Sequence, residues 1–178
     1  MRTIDIHAHI TPVGFVEASH RGEAWHGMPP DSMSIHRNNP KTQWTPEERL
    51  ADMNSLGVDV QVLSTNAYFY AYDGDPATVK EMTKECNNYI AELVKDHPDR
   101  FSGFATLPMQ DIKASISELE RSMKLGLKGA MIGDHVNGET FDEKKFLPFW
   151  KAVETLGAVI LVHQGGETVV NHRISRYH

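Results

Sequence analysis

A joint that occurs three times constrains the fold of this 178-residue chain more than any other feature. It combines the end of a helix, a leucine, a glycine and the start of an apolar strand, and it lies at 55–58, 124–127 and 155–158. Glycine ends a helix because it adopts the left-handed backbone without steric cost. The repetition predicts successive β-α units and therefore a parallel sheet.

The patterning around these joints predicts five strands and four helices. The strands are expected near residues 3–10, 58–64, 101–107, 129–133 and 158–163, and the helices near 46–56, 76–97, 111–125 and 143–156. Residues 11–43 are rich in proline, glycine, asparagine and histidine, which predicts a long loop. Cys86 lies on the apolar stripe of the second helix, so we interpret it as a core residue and not as a catalytic thiol.

Composition excludes several classes of function. No apolar run approaches the ~18 residues that a membrane-spanning helix needs, so a membrane partner is not expected. The net charge is −6 and the basic residues form no stripe, so a nucleic acid is not expected either. The single cysteine and the lack of an apolar leader before the first strand predict a cytoplasmic protein.

Three histidines carry the functional signal. His7 and His9 alternate with apolar residues near the end of the first strand, which predicts that both rings project from one face together with Asp5. His163 ends the continuous apolar run 158–163, as in a strand buried on both faces. The carboxyl ends of parallel strands meet at one edge, so we expect the three rings to converge on one divalent metal ion. The alternative is surface or strand-capping histidines without a metal.

The order of several short motifs resembles the amidohydrolase superfamily, and within it the metal-dependent decarboxylases related to aminocarboxymuconate-semialdehyde decarboxylase. The match covers essentially the whole chain. The motifs that carry it are Ile4-Asp5-Ile6-His7-Ala8-His9, Trp44-Thr45-Pro46, Leu56-Gly57-Val58-Asp59-Val60-Gln61-Val62, Leu107-Pro108-Met109-Gln110-Asp111, Ile132-Gly133-Asp134-His135 and Ile160-Leu161-Val162-His163.

This resemblance implies an α/β fold, the TIM-type (β/α)8 barrel, of which residues 1–178 would hold the first five strands as a single domain incomplete at its C-terminus. It also implies one metal ion, usually zinc and in some relatives manganese, with His7, His9 and His163 as ligands. The family's catalytic histidine and its aspartate ligand would lie beyond His178, so we expect the 178-residue chain alone to be inactive. No lysine ends the fourth strand to bridge a second metal ion.

The resemblance further implies non-oxidative decarboxylation of an unsaturated or aromatic carboxylic acid, with a metal-bound water. Arg37 and His135 are the candidate substrate contacts, and 11–43 would form a lid over the pocket. After His163 the chain continues with Gln164-Gly165-Gly166, where the nearest relatives place proline and a pocket tryptophan, so the particular substrate stays open. A metal-dependent hydrolase of a lactone, amide or ester, a truncated non-catalytic metal-binding module, and a homo-oligomer also remain open.

Overall fold

The computed structural model describes residues 2–30 and 40–164 of the chain. Five strands and five α-helices lie in these ranges. The strands are β1 (Ile4–His9), β2 (Val60–Ser64), β3 (Phe101–Gly103), β4 (Gly129–Gly133) and β5 (Val159–His163). The helices are α1 (Val13–His20), α2 (Pro46–Leu56), α3 (Pro76–Asp96), α4 (Ile112–Lys124) and α5 (Leu147–Leu156), with short 3-10 turns at Pro40–Gln43, Ala67–Phe69 and Lys144–Phe146.

The strands pair in parallel and in chain order. β1 pairs with β2 and β2 with β3, while β4 pairs with β5. Backbone bonds connect these two groups, because the Ala105 amide donates to the Gly129 carbonyl (2.8 Å) and the Met131 amide donates to the Ala105 carbonyl (3.0 Å). The prediction of parallel β-α units is therefore confirmed. An order that follows the chain is also that of a (β/α)8 barrel.

The local signals define the helix ends well. Thr45 accepts a bond from the Glu48 amide while the Glu48 side chain accepts from the Thr45 amide, so a complete capping box begins α2. Gly57 and Gly157 end α2 and α5 with φ of 67° and 62°. These two residues are glycine because that backbone conformation is strained for residues with a Cβ atom.

The core lies between the sheet and helices α2 to α5. Leu63, Leu107, Leu119 and Phe149 are among its fully buried side chains. Cys86 is also fully buried, as predicted, and burial raises the pKa of its thiol, which disfavours the reactive thiolate. Among residues 2–30 and 40–164, no helix has the length and apolar character that crossing a bilayer requires.

The segment 11–43 is only partly the loop that its composition predicts. Its first part forms α1, whose buried Phe15 and Ala18 belong to a second apolar cluster with Trp25, Phe69 and Met82. The sequence signal for this helix is weak, because Pro12 makes no side-chain cap and Gly14 lies in the first turn. Tertiary packing on α3 compensates for the weak local signal.

Candidate metal centre

The rings of His7, His9 and His163 meet at the carboxyl ends of β1 and β5. The Nε2 atom of His7 lies 3.0 Å from Nε2 of His9 and 3.0 Å from Nε2 of His163. The three ring centroids are 4.7 to 5.1 Å apart, and the ring planes are nearly perpendicular to each other. The structure thus brings together the three histidines that the sequence selects.

This convergence requires a strongly curved sheet. β1 and β5 are four strand spacings apart, and a flat sheet would separate them by ~19 Å, more than two imidazole side chains can bridge. The contact between His7 and His163 shows instead that the carboxyl ends of the first and fifth strands turn toward each other. The site is therefore a product of sheet curvature.

The second ring nitrogens of His9 and His163 are bound to carbonyl groups. Nδ1 of His9 donates to the Thr65 carbonyl (3.1 Å), and Nδ1 of His163 donates to the Gln164 carbonyl (2.7 Å). Because a carbonyl can only accept, these bonds place the proton on Nδ1 and leave the lone pair on Nε2. Both rings are therefore oriented as metal ligands usually are.

The rings form a donor set for a cation. Burial, then the neighbouring His7 and His163, lower the pKa of His9 to about 4, so this ring is neutral at physiological pH. Two nitrogens bound to one ion at ~2.1 Å lie about 3.0–3.4 Å apart, which agrees with the observed 3.0 Å separations. Within the described residues these three side chains fit one divalent ion, and they are the group of potential metal ligands that the geometry identifies.

The alternating pattern of β1 contains an irregularity that the sequence does not show. Asp5 pairs with Gln61 and His9 pairs with Ser64, so the five residues 5–9 of β1 oppose the four residues 61–64 of β2. Gln61 and Ser64 lie on opposite faces of a regular strand, and their partners Asp5 and His9 therefore do as well. The prediction that Asp5 shares the inward face of the histidines is wrong, because a β-bulge between Asp5 and Ala8 reverses the alternation.

Of the two predicted substrate contacts, the structure describes His135 and not Arg37. His135 follows β4, where its Nδ1 accepts a bond from the Gly138 amide (3.1 Å), so one of its nitrogens stabilises the local turn. Arg37 lies outside the described residues, as do Gly165 and Gly166. Sequence reasoning overlooked Arg49, a buried arginine of α2 that donates to the His9 carbonyl (2.9 Å). Burial lowers the pKa of its guanidinium.

Comparison with known proteins identifies the family of this chain. The family model described as amidohydrolase matches residues 4–175. The chain belongs to the amidohydrolase family. It resembles the decarboxylase branch, since it is 33% identical over 187 residues to the 2-amino-3-carboxymuconate-6-semialdehyde decarboxylase of Dictyostelium discoideum, covering 98% of this chain and 52% of the relative.

Solved structures of this amidohydrolase branch share its fold. A dihydroxybenzoic acid decarboxylase from Polaromonas, with bound manganese and 2-nitroresorcinol, matches with a TM-score of 0.74 and 26% identity over 100% of this chain and 54% of that one. A 5-carboxyvanillate decarboxylase from Sphingomonas paucimobilis matches with a TM-score of 0.73 and 29% identity over 91% and 51% of the two chains. The chain thus spans about half the length of the relatives it matches.

Proposed function

We propose that this protein is a metal-dependent decarboxylase that removes carbon dioxide, without oxidation, from an aromatic or unsaturated carboxylic acid. The observation that carries the proposal is the convergence of three Nε2 atoms at the carboxyl ends of β1 and β5. The similarity to decarboxylases of three different acids supports the reaction class. The metal ion would be manganese or zinc, and manganese is the ion in the Polaromonas relative.

In this proposal the chain's own residues hold and orient the reacting groups. A divalent ion bound by His7, His9 and His163 would supply a Lewis acid that polarises a substrate oxygen or acidifies a water. The carbonyls of Thr65 and Gln164 keep two of the rings in the ligating orientation. Arg37 and His135 remain the proposed substrate contacts, with segment 11–43 as a pocket wall or lid.

Two stacked tyrosines are buried beside the carboxyl end of β4. The rings of Tyr70 and Tyr72 are parallel within 9° at a centroid distance of 5.4 Å, and the Gly133 amide donates to the Tyr72 hydroxyl (3.0 Å). Gly133 is the register partner of His163, so this buried aromatic pair packs against the strand next to the one that carries His163. Burial raises the pKa of both phenols and keeps them uncharged.

We propose that residues 1–178 belong to a longer polypeptide. The edge strands β1 and β5 expose apolar side chains, and further β-α units would cover them and close a (β/α)8 barrel. These side chains are Ile4, Ile6, Val159 and Val162, each more than half exposed. The additional units would also provide the acid-base group and the fourth metal ligand that the family resemblance implies.

The test uses the full-length gene product, freed of metal and then loaded separately with Mn²⁺ and Zn²⁺. We expect about one ion per chain and release of carbon dioxide from 2,6-dihydroxybenzoate, 5-carboxyvanillate or a carboxymuconate semialdehyde. His163→Ala should lose the ion and the turnover, whereas His20→Ala, at an exposed position of α1, should keep both.

The possible results separate the alternatives. Full metal occupancy in His163→Ala would contradict the ligand assignment. Hydrolysis of lactones, amides or esters without carbon dioxide release would identify a hydrolase on the same site. Metal binding without either activity would identify a non-catalytic metal-binding protein.

A further inference from the structure

Arg49 has an unusual environment for an arginine. It lies on α2 beneath the sheet and is only 4% exposed. Within residues 2–30 and 40–164 its hydrogen-bond acceptors are the side-chain oxygen of Gln61 (3.1 Å) and the carbonyls of His9 (2.9 Å) and Lys41 (2.8 Å). A buried charge with neutral acceptors is costly, so such an arginine is expected to serve a specific purpose.

The contacts of Arg49 lead to both histidines of β1. One branch is the direct bond from Nη2 to the carbonyl of His9. The other runs through Gln61, whose amide nitrogen donates to Oδ2 of Asp5 (3.1 Å), while Oδ1 of Asp5 accepts the backbone amide of His7 (3.0 Å). A single guanidinium on α2 is thereby connected to the backbone on either side of Ala8.

These bonds coincide with the β-bulge. Its extra residue lies between Asp5 and Ala8, where the regular pairing of β1 with β2 is interrupted. The Asp5 carboxylate accepts the His7 amide at the point where the ladder is disrupted. The bulge turns Asp5 toward Gln61 and α2 while His9 faces the metal centre. The shape of the bulge therefore determines the separation of the His7 and His9 rings.

We infer that Arg49, Gln61 and Asp5 form a positioning network that holds the bulge and thereby sets the geometry of the metal ligands His7 and His9. The inference rests on the proposed metal site. Removal of residues that orient metal ligands typically weakens metal affinity 10–100-fold. The ligands of such a variant are less ordered in the free protein, so ordering them lowers the net free energy of binding. Arg49 acts here through His9 and His7 and does not contact the ion.

The chain offers a matched control. Arg100 also links α2 to β2, since Nη2 donates to the Asn54 side chain (2.9 Å) and Nε donates to the Asp59 carbonyl (3.0 Å). These contacts lie at the amino end of β2, opposite to the end that carries the histidines. Loss of Arg100 should therefore affect stability without affecting the metal ligands.

The experiment measures Zn²⁺ affinity of the full-length apoprotein by competition with a chromogenic chelator, together with its thermal unfolding. Arg49→Met should weaken Zn²⁺ binding about 10–100-fold, whereas Arg100→Met should lower the melting temperature and leave the affinity within about twofold of wild type. The absorption spectrum of the Co²⁺ form should change in Arg49→Met and not in Arg100→Met.

A second pair of variants covers the case in which Arg49→Met fails to fold. Asp5→Ala removes the acceptor of the His7 amide and should weaken Zn²⁺ binding about tenfold or more. Asp5→Asn retains an oxygen that can accept this amide and should recover part of the loss. Wild-type affinity in Arg49→Met or in Asp5→Ala would overturn the network, whereas failure of the wild-type protein to bind Zn²⁺, Mn²⁺ or Co²⁺ would overturn the metal site itself.

Discussion

At the scale of single residues, His9 is the most constrained group of the centre. Its ring donates to the Thr65 carbonyl, its backbone carbonyl accepts from Arg49, and it pairs in register with Ser64. Burial and the two neighbouring rings lower its pKa to about 4. A neutral, oriented imidazole therefore exists before a metal ion binds, which reduces the ordering cost of binding.

Arg37 is the proposed contact for the substrate carboxylate. A substrate carboxylate bound by this residue would receive two parallel charge-assisted bonds, worth ~2–3 kcal/mol. Arg37→Ala should then lower kcat/KM for the decarboxylation about 100-fold while the metal content stays unchanged. Arg37→Lys should recover only part of the activity, since an ammonium group cannot make both bonds. Wild-type kinetics of Arg37→Ala on every carboxylate tested would show that Arg37 is a surface residue.

At the scale of elements, the contact of β4 with β5 decides where His163 lies. Gly129 begins β4 opposite Val159, the first residue of β5, and the register continues to Gly133 opposite His163. A Cβ atom at Gly129 would overlap the backbone of Val159. The close approach of the two strands therefore depends on this glycine.

Gly129→Ala tests this dependence. The substitution should separate β4 from β5, lower the free energy of unfolding by about 3 kcal/mol or more and reduce metal occupancy through displacement of His163. Gly126→Ala is the control. Gly129 and Gly126 both have positive φ (150° and 106°), but the space around the Cβ position of Gly126 is open. It should cost only about 1 kcal/mol and leave metal occupancy intact. Equal effects of the two variants on metal binding would contradict the role of the β4–β5 contact.

At the scale of the whole molecule, four exposed apolar side chains lie on the two edge strands of the described sheet. Ile4 and Ile6 of β1 are both 55% exposed, and Val159 and Val162 of β5 are 54% and 52% exposed. Within residues 2–30 and 40–164, β1 and β5 each pair with one neighbouring strand only, and an open strand edge promotes association with other strands. The described residues thus form a curved sheet with two open edges.

If residues 1–178 belong to a longer polypeptide, as proposed, these residues alone should behave differently from the full-length protein. We expect the 178-residue piece to aggregate or self-associate and to lack turnover. The full-length protein should unfold cooperatively as a discrete species. Size-exclusion chromatography with light scattering and the decarboxylation assay on both polypeptides provide the comparison. A monomeric, cooperatively folding and active 178-residue piece would show that the domain is complete without further strands.

Local sequence signals determined most of the elements and the choice of the three histidines. The capping residues predicted the bounds of α2, Pro46–Leu56, and the flanking glycines predicted those of β4, Gly129–Gly133. Both predictions are correct because these signals act within a few residues along the chain. Helix α1 escaped prediction because it depends on packing against α3 and has no capping signal of its own. β3 is shorter than its apolar pattern predicts, ending at Gly103, since only the bridge at Ala105 continues its pairing.

Tertiary structure alone decided how the histidines are held. The curvature that brings His163 to His7, the bulge that places Asp5 opposite to His9, and the network from Arg49 all depend on contacts between residues far apart in the chain. A period-2 pattern cannot reveal an extra residue in a strand, because the bulge depends on the register with β2. The sequence thus identified which residues form the centre, and the packing of α2 and β2 on β1 determined their geometry.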